Sequence, residues 1–225
     1  MLATANVASA SLASKMNASS RNLLLSNAAT LAAALVLQWD LGWLLWPYWI
    51  QSVIVGWYAR CRMLALDRFS TEGFTSSGRR VAEDESGKRS TATFFALHYG
   101  CFHLAYLAFL CKVHPVADLR SAALLVACGV SFALSQRETY AVQHAADLRG
   151  RPNLGALMFT PYLRVVPMHL AILVGGNAAG SVALWVFSGL KTVSDLLLDR
   201  VDRHMAIRSA DRIVARAAPT GEGRP

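Results

Sequence analysis

Six ionisable side chains, His98, His103, Arg164, His169, Lys191 and Asp195, lie inside long apolar runs of this 225-residue chain, with Gln51 as an uncharged companion. Imidazole and carboxylate together suit a transition metal, whose sites take three or four ligands with histidine prominent. His98, His103, His169 and Asp195 are therefore candidate ligands for zinc, iron or copper, with His144 and His204 as spares. Two histidines on different helices, with Arg164 and Lys191 to pair propionates, would equally serve a haem. A second chemistry is a proton-coupled or solute pathway built on Arg164 and Lys191 beside the proline-broken run that contains Pro161 and Pro167. The third use is structural, since polar side chains also fasten helices to one another in a scaffold or assembly partner.

Spacing limits which of these groups can cooperate. In HYGCFHLAYLAFL, residues 98–110, the two histidines are five apart, roughly 140° around a helix that turns about 100° per residue. They cannot easily grip one ion. Tyr99, His103 and Tyr106 form one stripe, and Phe94, His98, Cys101 and Phe102 form another. Arg164 and His169 are again five apart, whereas Tyr162 and His169, seven apart, nearly coincide. Lys191 and Asp195 are four apart on one face and lower each other's insertion cost. By depth, His98 is expected to meet Asp195 near the inner side, and His103, Arg164 and Lys191 near the middle, with His169 slightly outward.

The elements that must position these groups follow from composition. With 54% hydrophobic and 16% charged residues arranged in long blocks, the chain reads as an all-α, polytopic membrane helix bundle. Six runs approach the ~20 residues a helix needs to cross a bilayer: 22–38, 43–62, 93–112, 119–136, 156–176 and 181–198. Apart from Arg164 and Lys191, the basic residues fall between these runs or at their ends, which argues for a lipid bilayer as partner and against nucleic acid despite the net charge of +8. Eighteen of them lie on one side and only Lys112 and Arg120 on the other, so both termini are expected in the cytoplasm. Trp39, Trp43, Trp46, Tyr48 and Trp49 resemble an interfacial aromatic belt. The cysteines, Cys61, Cys101, Cys111 and Cys128, have no CxxC spacing and read as isolated thiols.

Residues 1–21 read as a flexible or interfacial leader, 22–199 as the bundle, and 200–225 as a basic cytoplasmic tail. The absence of Asp and Glu from residues 1–26 also fits an organelle transit peptide, an alternative to a bacterial membrane. The polar segment 67–92 is expected to be a mobile cytoplasmic loop, and 137–151 could continue the fourth span as a helix that Pro152 and Asn153 end. A homo-oligomer or a membrane partner protein remains open.

The elements LWPYWIQSVIVGWYARCRML from Leu45, FFALHYGCFHLAYLAFL, PYLRVVPMHLAILVGG and LKTVSDLLLD occur in this order. Together they resemble an uncharacterised bacterial multi-pass membrane family, the domain of unknown function six-four-nine-eight. That resemblance covers roughly residues 40–200 and implies a bacterial inner membrane and no known activity. It draws attention to His98, Arg164, His169, Lys191 and Asp195. Gln51 stands where the resemblance leads one to expect an acidic residue, so an anionic ligand there is in doubt.

Overall fold

A computed structural model of the chain describes residues 32, 36, 41–175, 182, 185–198, 200 and 201. The leader, most of the run 22–38, His204 and nearly all of the tail lie outside the described residues.

The described chain is mainly helical. Helix α1 is Gly42–Leu64, α2 is Glu85–Val113 and α3 is Leu119–Arg149. A broken helix follows, made of α4 (Leu154–Phe159), a 3-10 turn (Thr160–Arg164) and α5 (Val165–Gly175). Residues 185–198 form a further helical stretch, α6. Three of these starts carry side-chain caps, each satisfying a backbone N–H that the helix itself cannot. Asp84 accepts from Gly87 N at 2.8 Å, Asp118 from Ser121 N at 2.7 Å and Asn153 from Ala156 N at 2.9 Å. Pro161 stands at the start of the 3-10 turn, where its missing N–H and fixed φ interrupt the α-helical ladder.

Among the described residues two helices, α2 and α3, are long and apolar enough to cross a membrane. At about 1.5 Å per residue they run roughly 44 and 46 Å, longer than a hydrocarbon core of roughly 30 Å. The expected run 119–136 does continue without interruption to Arg149, and the helix expected from 93 begins earlier, at Glu85.

Helix α1 is the hub and packs on α2, on α3 and on α4. Its buried face is Gly42, Leu45, Tyr48, Ser52, Gly56 and Met63, a stripe at helical spacing. Gly56 is required there by close approach: a Cβ would lie 2.4 Å from Cε1 of Tyr99. The Tyr99 ring thereby crosses α1 and donates its hydroxyl to Ser52 O at 2.9 Å. Trp46 and Trp49 donate their indole N–H to His114 O and His103 O at 2.8 and 3.0 Å, tying α1 to α2. Beside them, an open groove of about 530 Å³ between α1 and α3 is lined by apolar side chains such as Ile50, Leu125 and Val126.

The segment 67–92 is a built structure and not the solvated linker expected from its composition. Thr75–Ser76 and Arg79–Arg80 pair as a two-residue hairpin, β1 and β2, around Ser77 and Gly78 at φ 50° and 75°. Both central positions have positive φ, the geometry that two-residue hairpins favour. Ser70 exchanges backbone bonds with Pro152 O and Leu154 N, both at 2.9 Å, and the Phe74 ring covers Gly155. Glu83 accepts from Thr71 N at 2.9 Å, from Arg80 at 2.7 Å and from Arg151. That backbone donor and the two cations hold the Glu83 carboxyl below its ordinary range. Lys88 is buried, with Nζ donating to Leu66 O at 2.8 Å and pairing with Glu85 at 2.7 Å. Composition could not reveal this, because the order comes from polar contacts between residues up to 84 positions apart.

Candidate functional site

A charged centre forms where the broken helix meets α6 and α1. Lys191 and Asp195, one turn apart on α6, make an ion pair of 2.7 Å to Oδ2. Arg164, the last residue of the 3-10 turn, approaches the other oxygen, Oδ1, at 3.5 Å. Asp195 is 5% exposed, so its charge depends on these cations. Both cations also lie over the Tyr48 ring, Arg164 Cζ at 5.6 Å and Lys191 Nζ at 5.9 Å from its centroid. Phe187 closes the far side of Tyr48 edge-on at 5.3 Å, and Ser194 donates to Leu163 O. Arg164 Nη1 is buried and has no hydrogen-bond partner among the described residues.

The Lys191–Asp195 pairing follows the expected four-residue spacing. Tyr48, by contrast, was expected in an interfacial belt and is 2% exposed in the core. It lies three positions from Leu45 and four from Ser52 on the buried stripe of α1, and that spacing was the available signal.

The histidines do not join this centre. Tyr99, His103 and Tyr106 are buried along one face of α2, while His98 and Cys101 are exposed on another, as the angular spacing requires. His98 shares a 2.8 Å hydrogen bond with the Tyr162 hydroxyl and stands between Phe94 and Phe102. It was expected to meet Asp195 and instead finds Tyr162. His103 donates Nδ1–H to Tyr99 O at 3.0 Å, stacks on the Tyr99 ring at 4.3 Å and keeps a buried Nε2 without a partner among the described residues. His169 shares a 3.4 Å hydrogen bond with Tyr106 and so joins the His103 stripe at its Tyr106 end. Gln51 is half-buried on α1 and takes no part in either cluster.

Four converging ligands at His98, His103, His169 and Asp195 are therefore not assembled. Among the described residues no group of three or more His, Cys, Asp and Glu side chains is placed to hold a metal ion. The reason is geometric: the five-residue separation turns His98 and His103 apart, and each is taken up by its own tyrosine. Asp195 is engaged by cations, which leaves its oxygens poorly disposed to bind another.

A second ion pair stands at the end of α1. Arg62 donates Nε–H to Asp147 Oδ2 at 2.8 Å and an Nη2 hydrogen to Oδ1 at 3.0 Å, a bidentate pair, and Nη1 donates to Gln143 at 2.9 Å. Arg62 looked like one of many topology-setting basic residues. Its distinction lies in the tertiary pairing with Asp147, 85 residues away.

Between the two ion-pair clusters lies a partly enclosed cavity of about 170 Å³ among α1, α3, α4 and the 3-10 turn. Its wall includes Tyr58, Arg62, Gln136, Gln143, Thr160 and Arg164. No Asp or Glu is among its lining residues in the described chain.

No curated protein and no solved structure matches the chain. One family model does, over residues 9–212, the greater part of the sequence. With that match the chain belongs to the family of unknown function DUF6498.

Proposed function

We propose that this protein is a six-span membrane protein, both ends cytoplasmic and at home in a bacterial inner membrane, whose Arg164–Asp195–Lys191 centre serves a small-solute or proton pathway. Several observations support the membrane part. Only Leu125 and Asp147 of α3 are buried, while Leu124, Val126, Val130 and Leu134 are exposed. A core helix of a soluble protein would bury such residues, whereas a lipid-facing helix need not. The contacts between segment 67–92 and residues 150–154 support a reading in which the second and fourth inter-span loops share one side, as alternating crossings require. The basic bias then marks that side as cytoplasmic.

Arg164 carries the functional part. A guanidinium buried with a donor unused, in the wall of a partly enclosed cavity, costs stability that a purely structural helix fastening would have no need to bear. The broken helix around Pro161 supports it too, since irregular backbone at membrane depth is tolerated where it lines a cavity.

Full-length protein in liposomes should dissipate an imposed gradient of protons or of a small solute, read with a trapped pH dye and with radiolabelled acetate and phosphate. Arg164→Ala and Lys191→Ala should abolish that flux. Equal flux through wild type, both variants and empty liposomes would sink the proposal.

A metal or haem reading keeps two supporting observations, the buried ring nitrogens His103 Nε2 and His144 Nδ1, neither with a hydrogen-bond partner among the described residues. Elemental analysis and an absorption spectrum of purified protein test it, and metal-free, colourless protein indifferent to chelator would count against it.

A further inference from the structure

We infer that the cavity between α1, α3, α4 and the 3-10 turn is a one-sided aqueous inlet. It holds water, admits small polar solutes from the end of the bundle that carries segment 67–92, and closes at Arg164. The inference deepens the pathway proposal by naming the side from which its charged centre is reached, and rests on that proposal only for the link to transport.

The periodicity of α3 marks where the inlet begins and ends. The side that α3 turns toward α1 carries Leu125, Gly129 and Ala133, which line the apolar groove. Continued at steps of three and four, the same side becomes Gln136, Thr139 and Gln143, which line the cavity, and then the buried Asp147. From Gln136 to Asp147 this polar row runs about 16 Å. An apolar row needs only a neighbouring helix or a lipid chain. A polar row over three turns, facing a gap between helices, needs hydrogen-bond partners.

The wall leaves those bonds to be made. Tyr58 Oη and the Gln136 amide have no hydrogen bond among the described residues, and Gln143 spends only its Oε1, on Arg62. All three residues are half-buried, and none of these atoms is sealed off as Arg164 Nη1 is. The charged groups, by contrast, are already answered: Asp147 takes the Arg62 fork, and Asp195 faces Arg164. What the wall offers is therefore neutral, a mixture of donors and acceptors that favours neither an anion nor a cation. Water both donates and accepts, and about 170 Å³ has room for several molecules at ~30 Å³ each in the liquid.

The two ends differ. Arg62 and Gln143 stand near the ends of α1 and α3 from which the chain runs into segment 67–92 and residues 150–154. At the other end the cavity meets Arg164, whose side chain is 14% exposed, and beyond it Asp195 and Tyr48 are buried. Water thereby reaches the Arg164 side chain but not the carboxylate it faces.

Thiol reactivity of the full-length protein, inserted in liposomes in one orientation, tests the inlet. Cys61, Cys101, Cys111 and Cys128 are first replaced by Ala. Gln136→Cys and Thr160→Cys then probe the cavity, Ser76→Cys marks the side of the exposed hairpin, and Val130→Cys probes the exposed edge of the apolar groove. Aminoethyl methanethiosulfonate is added to one side at a time, with free cysteine on the other side to scavenge whatever crosses. Gln136→Cys and Thr160→Cys should react only from the side that modifies Ser76→Cys. They should react at least about tenfold faster than Val130→Cys, because thiolate is the reactive form and a thiol in hydrocarbon stays protonated. Should Gln136→Cys fail to fold, Val55→Cys, on the α1 floor of the cavity, should show the same side and rate. Cavity positions as slow as Val130→Cys, or reactive from the side opposite Ser76→Cys, would overturn the inference. Inlet reactivity without liposome flux would keep the inlet and remove the pathway, whereas flux through protein whose cavity positions are inert would do the reverse.

Discussion

Two buried ion-pair clusters of similar composition differ in how completely they are satisfied. At the Arg62–Asp147 clasp, three guanidinium nitrogens and both carboxylate oxygens are bonded at 2.8–3.0 Å, with Gln143 taking the remaining donor edge. At the Arg164–Asp195–Lys191 centre, one carboxylate serves two cations, one of them at 3.5 Å, and Arg164 Nη1 is unused. Buried charge is costly unless it is paired and hydrogen-bonded. A complete pair is what helix fastening needs; an incomplete one is where a ligand or a moving charge has something to gain.

The sharpest way to break that contrast is Arg62→Ala, which strands Asp147 in a buried site. It should cost about 3–5 kcal/mol, seen in detergent unfolding, whereas the double change Arg62→Met with Asp147→Leu should recover most of the loss. Lys191→Met should cost less, about 1.5–3 kcal/mol, because Asp195 keeps Arg164. If Lys191→Met proves as damaging as Arg62→Ala, the two clusters do not differ in redundancy as their geometry indicates. Gly56→Ala tests the seam that carries both clusters: its methyl would run into the Tyr99 ring. The expected loss is about 1–3 kcal/mol, and Tyr99→Leu should relieve it in the double variant.

The smallest effect belongs to the exposed hairpin. The Glu83 carboxyl is held below its ordinary value of 4.5 by Thr71 N–H and by Arg151 and Arg80. Its contribution is therefore fully present above that value and is lost as pH falls through the lowered one. Protection of Thr71 N and Ser70 N from hydrogen exchange, taken relative to the intrinsic rate at each pH, should fall below about pH 4.5, and Glu83→Gln should flatten that dependence. An unchanged profile in Glu83→Gln would show that the hairpin is held by its backbone bonds alone.

Much of the scaffold was legible because long apolar helices announce themselves locally. Apolar runs gave α2 and α3, Asn153 and Pro152 marked the start of the broken helix, Pro161 marked its interruption, and the four-residue step paired Lys191 with Asp195. The angular reading of His98 and His103 was equally local, and it separated their faces without supplying their partners. Segment 67–92 went the other way: a polar, Ser- and Gly-rich composition concealed a hairpin pinned by Glu83, Lys88 and Ser70.

What the sequence determined by itself was the long apolar helices α2 and α3, the faces of their side chains and the pairing of charges one turn apart, because these depend on periodicity and on neighbours within a turn. Tertiary structure alone decided that Tyr48 leaves the aromatic belt for the charged centre, that Arg62 pairs with Asp147, and that the histidines end on separate tyrosines. Each of these is a contact between helices far apart in the chain. A side chain's direction on its own helix is fixed by local geometry, but the group it meets depends on how the helices are placed around it.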